Sequence, residues 1–276
     1  MGSIQYSDRL EGAINRAGSP ACVGIDPVLG RLPDGLSPGD DIERIREFCL
    51  GVVETVAGVV PAIKPQSACF ERFGSAGVAV LEQVCARARK LGLLIVLDVK
   101  RGDIGSTAEH YAGAAVGMGA DAVTVNGYMG RSAVRPFVES GLGVYVLVRT
   151  SNPDSDELQA QALAGGGTVA ERMARMVCEM GVGAVVGATK NGDELARLRA
   201  LMPEAPILVP GVGAQGGTVE GVRPMVREGT SSLGEAGVLI NASRSVLYPA
   251  SGGGDWRVAI RSAAESFAAE AAGALP

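Results

Sequence analysis

Leu97-Asp-Val-Lys-Arg-Gly-Asp-Ile-Gly-Ser-Thr107 follows directly on the apolar run from Leu93 to Val96. Because the hydrophobic residues of this run do not alternate with polar ones, the pattern predicts a parallel strand buried on both faces. Side chains in a strand repeat every two residues, so we expect Asp98 and Lys100 to point to the same face. Gly102 allows a tight turn, and Asp103 follows at once.

Three charges of alternating sign at the end of a buried strand are costly to desolvate. A chain tolerates that cost mainly where a ligand makes use of the charges, so the stretch indicates a functional site. The alternative is a structural ion pair at the strand end, with Asp103 as the N-cap of the next helix.

Seven further apolar segments have the length of buried strands, and helical patterns separate most of them. This alternation predicts a single-domain (β/α)₈ TIM barrel over residues 1–276, with a doubly wound open sheet as the alternative. The predicted strands are Ala21–Ile25, Val59–Ile63, the central run, Asp121–Asn126, Val144–Arg149, Ala184–Ala188, Ile207–Val209 and Gly237–Ile240. The predicted helices cover about 3–18, 40–57, 71–91, 104–118, a segment ending near 180, 193–201, 219–228 and 255–271.

Composition limits the class of protein. The chain has 276 residues, 47% of them hydrophobic, which is enough for a large core. A formal net charge of -5 argues against a nucleic-acid binder. The five cysteines lack Cys-x-x-Cys spacing and suggest reduced core residues rather than a disulfide framework. No signal-peptide pattern or long apolar span is present, so we expect a cytoplasmic protein with no membrane partner.

Polar residues collect where the predicted strands give way to the following loops. In a barrel these points meet at one mouth, where functional side chains gather. The segregation therefore predicts one site, formed by Asp26, Lys64, Asp98, Lys100, Asn126, Ser151, the loop 211–217 and Arg244.

The loop after the seventh strand, Gly211-Val-Gly-Ala-Gln-Gly216, fits the Gly-x-Gly-x-x-Gly pattern of dinucleotide folds. This loop follows the seventh predicted strand, whereas the dinucleotide pattern normally follows the first strand of its fold. The acidic residue expected about 20 residues later, at the end of the next strand, is also absent. The favoured interpretation is a barrel phosphate site, in which Gly211 and Gly213 let backbone N–H groups approach an anion. A following helix is expected to add its dipole, and Arg244 to grip phosphate oxygens bidentately.

The order Asp98-x-Lys-x-x-Asp103-Ile-x-x-Thr107 resembles the signature of the orotidine 5′-phosphate decarboxylase family. The resemblance extends over nearly the whole barrel, and Lys64-Pro65 and Lys100-Arg101-Gly102 look like the bacterial branch with the longer chain. It implies decarboxylation of orotidine 5′-monophosphate to UMP and CO₂ in de novo pyrimidine biosynthesis, with Lys100 as the proton donor. No metal or organic cofactor is expected.

The same resemblance implies roles for particular residues. Lys64, Asp98, Lys100 and Asp103 match the family's charged array. A homodimer is expected, in which the array is completed across the interface by Asp103, Ile104 and Thr107. The substrate-binding residues implied are Asp26 for the ribose, Ser151 for the pyrimidine, and Gln215 and Arg244 for the phosphate. His110 receives no role.

Three rival functions remain open at this stage. A class I aldolase would use a barrel lysine as a Schiff base, although a carboxylate-flanked Lys100 is a poor nucleophile. A barrel with the same signature could act on a sugar-phosphate keto acid with Mg²⁺, which the lysine at the end of the second strand disfavours. A non-catalytic barrel could bind nucleotides as a regulator, which the full charged array disfavours.

Overall fold

The computed structural model describes residues 2–213, 216–249 and 254–275. Its eight strands are all parallel and each pairs with its neighbours in chain order, with β8 closing on β1. The closed barrel confirms the predicted fold class and excludes the open sheet. The strands are β1 Ala21–Ile25, β2 Ala62–Pro65, β3 Leu94–Arg101, β4 Ala122–Val125, β5 Gly143–Arg149, β6 Gly183–Val186, β7 Ile207–Val209 and β8 Val238–Ala242.

Helices surround the barrel, and side-chain caps define several of their starts. Asp40 and Thr168 each form a capping box with the glutamate three residues later, which satisfies two N–H groups of the first turn. The helices are α1 Gly2–Ala17, α2 Asp41–Val56, α3 Ala68–Glu71, α4 Gly74–Lys90, α5 Gly105–Gly117, α6 Arg131–Glu139, α7 Val169–Met180, α8 Gly192–Leu201, α9 Arg244–Leu247 and α10 Trp256–Gly273.

Several helical segments differ from the sequence prediction, among them the short α3, which precedes the predicted start at about residue 71. The nine-residue helix α6 was missed, because it is short and carries Pro136 in its interior. The short α9 after β8 was also missed. The helix predicted over 219–228 is wrong in type: Glu220–Met225 forms only a 3₁₀ helix, with Pro224 inside it.

The prediction that the cysteines are core residues is confirmed for three of the five. Cys22, Cys49 and Cys85 are buried, whereas Cys69 is half-buried and Cys178 is exposed. All five are free thiols.

The two ends of the barrel interior are filled differently. Helix α1 closes the amino-terminal end, where Tyr6 packs edge-to-face on Tyr145 with ring centroids 5.9 Å apart. Their hydroxyl groups hydrogen-bond at 3.1 Å, which satisfies both buried phenols. Ile14 and small or branched strand residues such as Ala62 and Val96 complete this apolar layer. The amino-terminal end is therefore sealed, and the polar residues lie at the carboxyl end.

Candidate active site

One cavity of about 520 Å³ opens at the carboxyl ends of the strands, and every strand or the residue following it contributes to its lining. Its floor is apolar, formed by Leu147, Val185 and Leu208. A layer of polar groups lies above that floor. The remaining lining residues are Asp26, Lys64, Gln66, Asp98, Lys100, Thr124, Thr150, Ser151, Asn152, Gln159, Pro210, Gly211, Val212, Asn241, Ser243 and Arg244.

Asp98 is the centre of the charged groups in this cavity. Lys64 donates from Nζ to Asp98 Oδ2 at 2.7 Å, and Lys100 donates from Nζ to Asp98 Oδ1 at 2.6 Å. The side chains of Lys64 and Asp98 are each 5% exposed, but that of Lys100 is 45% exposed. The predicted convergence of Lys64, Asp98 and Lys100 is therefore observed, and Lys100 is the member that faces the open cavity.

Two neutral side chains complete the hydrogen bonding of this carboxylate. Gln66 donates to Asp98 Oδ2 at 3.1 Å, and Thr124 donates from Oγ1 to Asp98 Oδ1 at 2.8 Å. Each carboxylate oxygen thus accepts one charged and one neutral donor, which leaves Asp98 little freedom to rotate. Sequence reasoning missed both Gln66 and Thr124.

The charges of the buried pair are coupled. Burial alone raises the pKa of the Asp98 carboxyl, but Lys64 and then Lys100 hold that pKa well below its usual range. Burial lowers the pKa of the Lys64 ammonium, but the carboxylates of Asp98 and Asp26 raise it above its ordinary value. Both groups therefore carry their charges across the neutral pH range.

The backbone of β3 is irregular where Lys100 stands. The register against β4 shifts between Leu97 and Arg101, and Lys100 has a φ of +44°. Lys100 and Asp98 do reach the same cavity, but the simple two-residue alternation of a regular strand is wrong here. The lysine reaches Asp98 from a bulge in a left-handed conformation, which costs a non-glycine residue about 1–3 kcal/mol.

Two buried oxygen atoms of the cavity have no hydrogen-bond partner among the described residues. They are Asp26 Oδ1 at the end of β1 and Asn241 Oδ1 on β8. Buried polar atoms in native proteins are normally paired, so two such atoms in one cavity indicate a polar ligand. Asp26 was predicted from the sequence, and Asn241 was not.

The loop after β5 forms one wall of the cavity. Ser151 lies there as predicted, beside Thr150, Asn152 and Gln159, which were missed. Gln159 accepts the Thr150 backbone N–H at 2.8 Å and donates to the Thr150 hydroxyl at 2.8 Å, so it ties the far part of the loop to its start.

Arg149 holds this loop from behind the cavity. It is 2% exposed and donates to Glu194 Oε1 at 2.7 Å and to Ser155 Oγ at 2.8 Å, and it also pairs with Asp156. Lys190 adds a bond to Ser155 Oγ at 2.7 Å. None of these five residues lines the cavity.

The loop after β7 approaches the cavity through Gly211, and Arg244 faces it from the start of α9. Gly211 and Gly213 have φ values of +94° and +76°, a backbone conformation that favours glycine. Gly213 lines an adjoining cavity rather than this one. Gln215 lies outside the described residues. The predicted helix dipole behind this loop is wrong, because only the 3₁₀ turn follows.

The segment that begins α5 does not reach this cavity. Asp103 is half-buried and its Oδ1 accepts the Ile104 N–H at 2.8 Å, while Ile104 is 64% exposed. Thr107 is exposed on the first turn of α5. Within one chain, therefore, Asp103, Ile104 and Thr107 stand apart from the groups that line the cavity. Asn126 was also predicted to belong to the site, at the end of the fourth strand. It caps a 3₁₀ turn and does not line the cavity.

Two features are absent from the part of the chain that the structure describes. Among those residues, no cluster of three or more His, Cys, Asp or Glu side chains is arranged to hold a metal ion. No helix there has the length and apolar character needed to cross a membrane. The cytoplasmic location stays a prediction.

Comparison with known proteins gives a consistent result. The family described as orotidine 5′-phosphate decarboxylase / HUMPS matches residues 21–252. An orotidine 5′-phosphate decarboxylase of Rhodopirellula baltica is 38% identical over 94% of this chain and 96% of its own length. One from a Nocardioides species is 44% identical over 88% of this chain and 92% of its own. The solved OMP decarboxylase of Leishmania donovani superposes with a TM-score of 0.77 at 32% identity, covering 96% of this chain and 97% of that one.

Proposed function

The chain belongs to the orotidine 5′-phosphate decarboxylase / HUMPS family, and we propose that it converts orotidine 5′-monophosphate to UMP and CO₂ in pyrimidine biosynthesis. The activity is that of a carboxy-lyase, and the proposal assigns it to one catalytic domain, residues 1–276. The observation that carries the proposal is the pair of ammonium groups on the buried Asp98 carboxylate, one of them exposed to the cavity.

The geometry suits a reaction whose barrier is electrostatic. When the bond between C6 and the carboxylate breaks, its electron pair stays on C6, and the pyrimidine ring delocalises that charge poorly. Lys100 stabilises the developing charge and then gives its Nζ proton to C6. Its hydrogen bond to Asp98 holds the ammonium in place, and no metal or organic cofactor is required in this proposal.

Lys64 and Asp98 form the fixed part of the array. A buried ion pair with both oxygens of the carboxylate occupied cannot reorganise freely, and such preorganised charge stabilises a transition state more than mobile solvent does. Asp98 also places negative charge near the departing carboxylate of the substrate, and Lys64 offsets that charge.

Binding of the rest of the substrate is assigned to other lining residues and to the loop after β7. Asp26, with its unpartnered oxygen, accepts from a ribose hydroxyl, and Ser151 contacts the pyrimidine. Arg244 and the backbone at Gly211 and Gly213 hold the phosphate, together with Gln215. The phosphate is remote from C6, so its binding energy can drive closure of the loop and lower the barrier.

A homodimer completes the array in this proposal, with Asp103, Ile104 and Thr107 reaching the site of a second copy. The support is a set of exposed apolar side chains on and next to α5 and on the 3₁₀ turn after β4. Ile104, Tyr111, Val116, Tyr128 and Met129 are all more than a third exposed, and Met129 lies against Gly102. Exposed apolar groups concentrated in one region mark contact surfaces. Light scattering should give a mass twice that of one chain. A monomer at the concentration of the enzyme assay would exclude a site shared between two copies.

The experiment for the reaction mixes purified protein with orotidine 5′-monophosphate, with and without EDTA. We expect ultraviolet absorbance to fall as UMP and CO₂ form in equal amounts, at the same rate in both samples. Absence of CO₂ release would reject the decarboxylase and revive a nucleotide-binding regulator. Loss of activity in EDTA would reject the metal-free mechanism, and borohydride trapping of a carbonyl substrate on a lysine would favour an aldolase.

A further inference from the structure

Thr124 lies on β4, directly opposite the irregular part of β3. Its side chain lines the cavity, but the residue is only 1% exposed. The Thr124 hydroxyl accepts the backbone N–H of Lys100 at 2.9 Å and donates its proton to Asp98 Oδ1 at 2.8 Å. One hydroxyl therefore holds both the backbone of the lysine and the carboxylate that its ammonium contacts.

The bond to the Lys100 backbone stands where the regular ladder between β3 and β4 is interrupted. Leu97 pairs with Val123 and Arg101 pairs with Val125, so three residues of β3 fall opposite Thr124 alone. Among the described residues, Lys100 is the only one other than glycine with a positive φ. A strained backbone of this kind persists only where surrounding contacts hold it.

The second bond of the hydroxyl sets the orientation of Asp98. Thr124 and Lys100 both donate to Oδ1, and Lys64 and Gln66 both donate to Oδ2. A hydroxyl has one proton to donate, and here it is directed to the same oxygen that accepts from Lys100. Without that donor, Asp98 Oδ1 has the lysine as its one donor among the side chains described around it.

We infer that Thr124 is a positioning residue for the reaction: its hydroxyl fixes Lys100 in its bulged backbone conformation and turns Asp98 Oδ1 toward the lysine ammonium. The inference rests on the proposed function, because it assigns Thr124 to the array that carries the reaction. Thr124 acts through Lys100 and Asp98, and its removal should slow the chemical step more than it weakens substrate binding.

The test uses Thr124→Val, which keeps the shape of the side chain and removes the hydroxyl. We expect kcat to fall about 10- to 100-fold, as for a small misplacement of a reacting group, while KM and the Kd for UMP stay within about threefold. Thr124→Ser, which restores the hydroxyl, should recover most of kcat. Thr55→Val is the matched control, since Thr55 donates only to Gly51 O on α2, away from the cavity.

A merely structural role gives a different result. In that case Thr124→Val would lower the melting temperature, but kcat of the folded protein would stay within about twofold of wild type, and the inference would be overturned. If the valine variant does not fold, kcat of Thr124→Cys is compared with kcat of Thr124→Ser. The two side chains are similar in size, but the thiol is a weak donor, so we expect the cysteine variant to have the lower kcat. Equal kcat in these two variants would also overturn it. Failure of the wild-type protein to release CO₂ would instead remove the proposed function itself.

Discussion

The groups around Asp98 and the groups around Arg149 form two ionic clusters at the same end of the barrel, each centred on a buried charged side chain. The first joins β2 to β3 through Lys64, Asp98 and Lys100, and Thr124 connects it to β4. The second joins β5 to its loop and to α8 through Arg149, Asp156 and Glu194. Every charged member of the first cluster lines the cavity, and no member of the second does.

The chemistry of the cation accounts for this difference. The guanidinium of Arg149 is a rigid fork whose donors are committed to three protein oxygens, two on the loop after β5 and one on α8, so it acts as a clamp. The ammonium of Lys100 is a compact charge, and its side chain is 45% exposed toward the cavity. A buried charge at a strand end is therefore insufficient evidence for catalysis. The useful criterion is whether a charged hydrogen-bond donor is exposed to the cavity, where a ligand can reach it.

The largest expected effect follows from removing that directed donor. Lys100→Ala should fold and bind UMP but lose turnover by about 10³-fold or more, since it removes both the charge stabilisation and the proton. Initial rates from the absorbance of orotidine 5′-monophosphate measure this. Lys90→Ala, an exposed lysine at the end of α4, is the matched control. Near-normal turnover of the Lys100 variant would reject its assignment.

Removal of the central carboxylate should affect stability as well as turnover. In Asp98→Asn the buried Lys64 loses its counter-charge, and breaking such a pair costs about 3–5 kcal/mol. Urea denaturation measures the difference from wild type. A loss below about 1 kcal/mol would mean that the Lys64–Asp98 pair contributes little to the fold.

The pH dependence of that difference has a defined sign. Asp98 has a lowered pKa, so its contribution is present above the unfolded carboxyl pKa of about 3.9 and is lost as the pH falls through the folded value. Lys64 has a raised pKa, so its contribution is present below about 10.4 and is lost as the pH rises through the folded value. The difference in the free energy of unfolding between wild type and Asp98→Asn should be constant from about pH 5 to 9. It should become smaller below about pH 4. A difference that grows on acidification would contradict this assignment.

The second cluster should respond through binding rather than chemistry. Arg149→Met removes two hydrogen bonds to the β5 loop and one to α8, and should cost about 1–3 kcal/mol of stability. Because Thr150, Ser151 and Asn152 lie on that loop, KM should rise more than kcat falls. Denaturation and steady-state kinetics measure both, with Arg149→Lys as the variant that keeps the charge but not the fork. If kcat fell as far as in Lys100→Ala at unchanged KM, the distinction between the two clusters would be lost.

A surface ion pair gives the smallest expected effect and calibrates the others. Arg261 and Glu265 pair at 2.6 Å on α10 with side chains 46% and 56% exposed. Glu265→Ala should change stability by less than about 0.5 kcal/mol and leave turnover unchanged. A loss comparable with that of Arg149→Met would show that burial does not decide the energetic role of these pairs.

Much of the site could be predicted because it depends on topology. Parallel strands alternating with helices bring their carboxyl ends to one mouth, so Asp26, Lys64, Ser151 and Arg244 could be grouped from strand ends alone. The alternation favoured a closed barrel but left an open sheet as the alternative, which the observed strand pairing excludes. The array of Lys64, Asp98 and Lys100 came from the same logic and from the ordered motif.

The remainder depends on tertiary geometry that local patterns do not encode. Thr124 and Asn241 are polar residues in short apolar strands, and that departure from pattern was the signal available for them. Gln66 and Arg149 acquire meaning only through partners on other elements. The bulge at Lys100 is a property of how β3 pairs with β4, so a regular two-residue repeat could not reveal it.

The proposed reactive centre is the array around Asp98, completed by Asp103 of a second copy. Co-expression of Lys100→Ala and Asp103→Asn chains with two different tags allows the heterodimer to be purified. One of its two sites then combines an intact Lys100 with an intact Asp103. We expect nearly inactive homodimers of each variant and a heterodimer with about half the wild-type turnover. A heterodimer as inactive as its parents would contradict it.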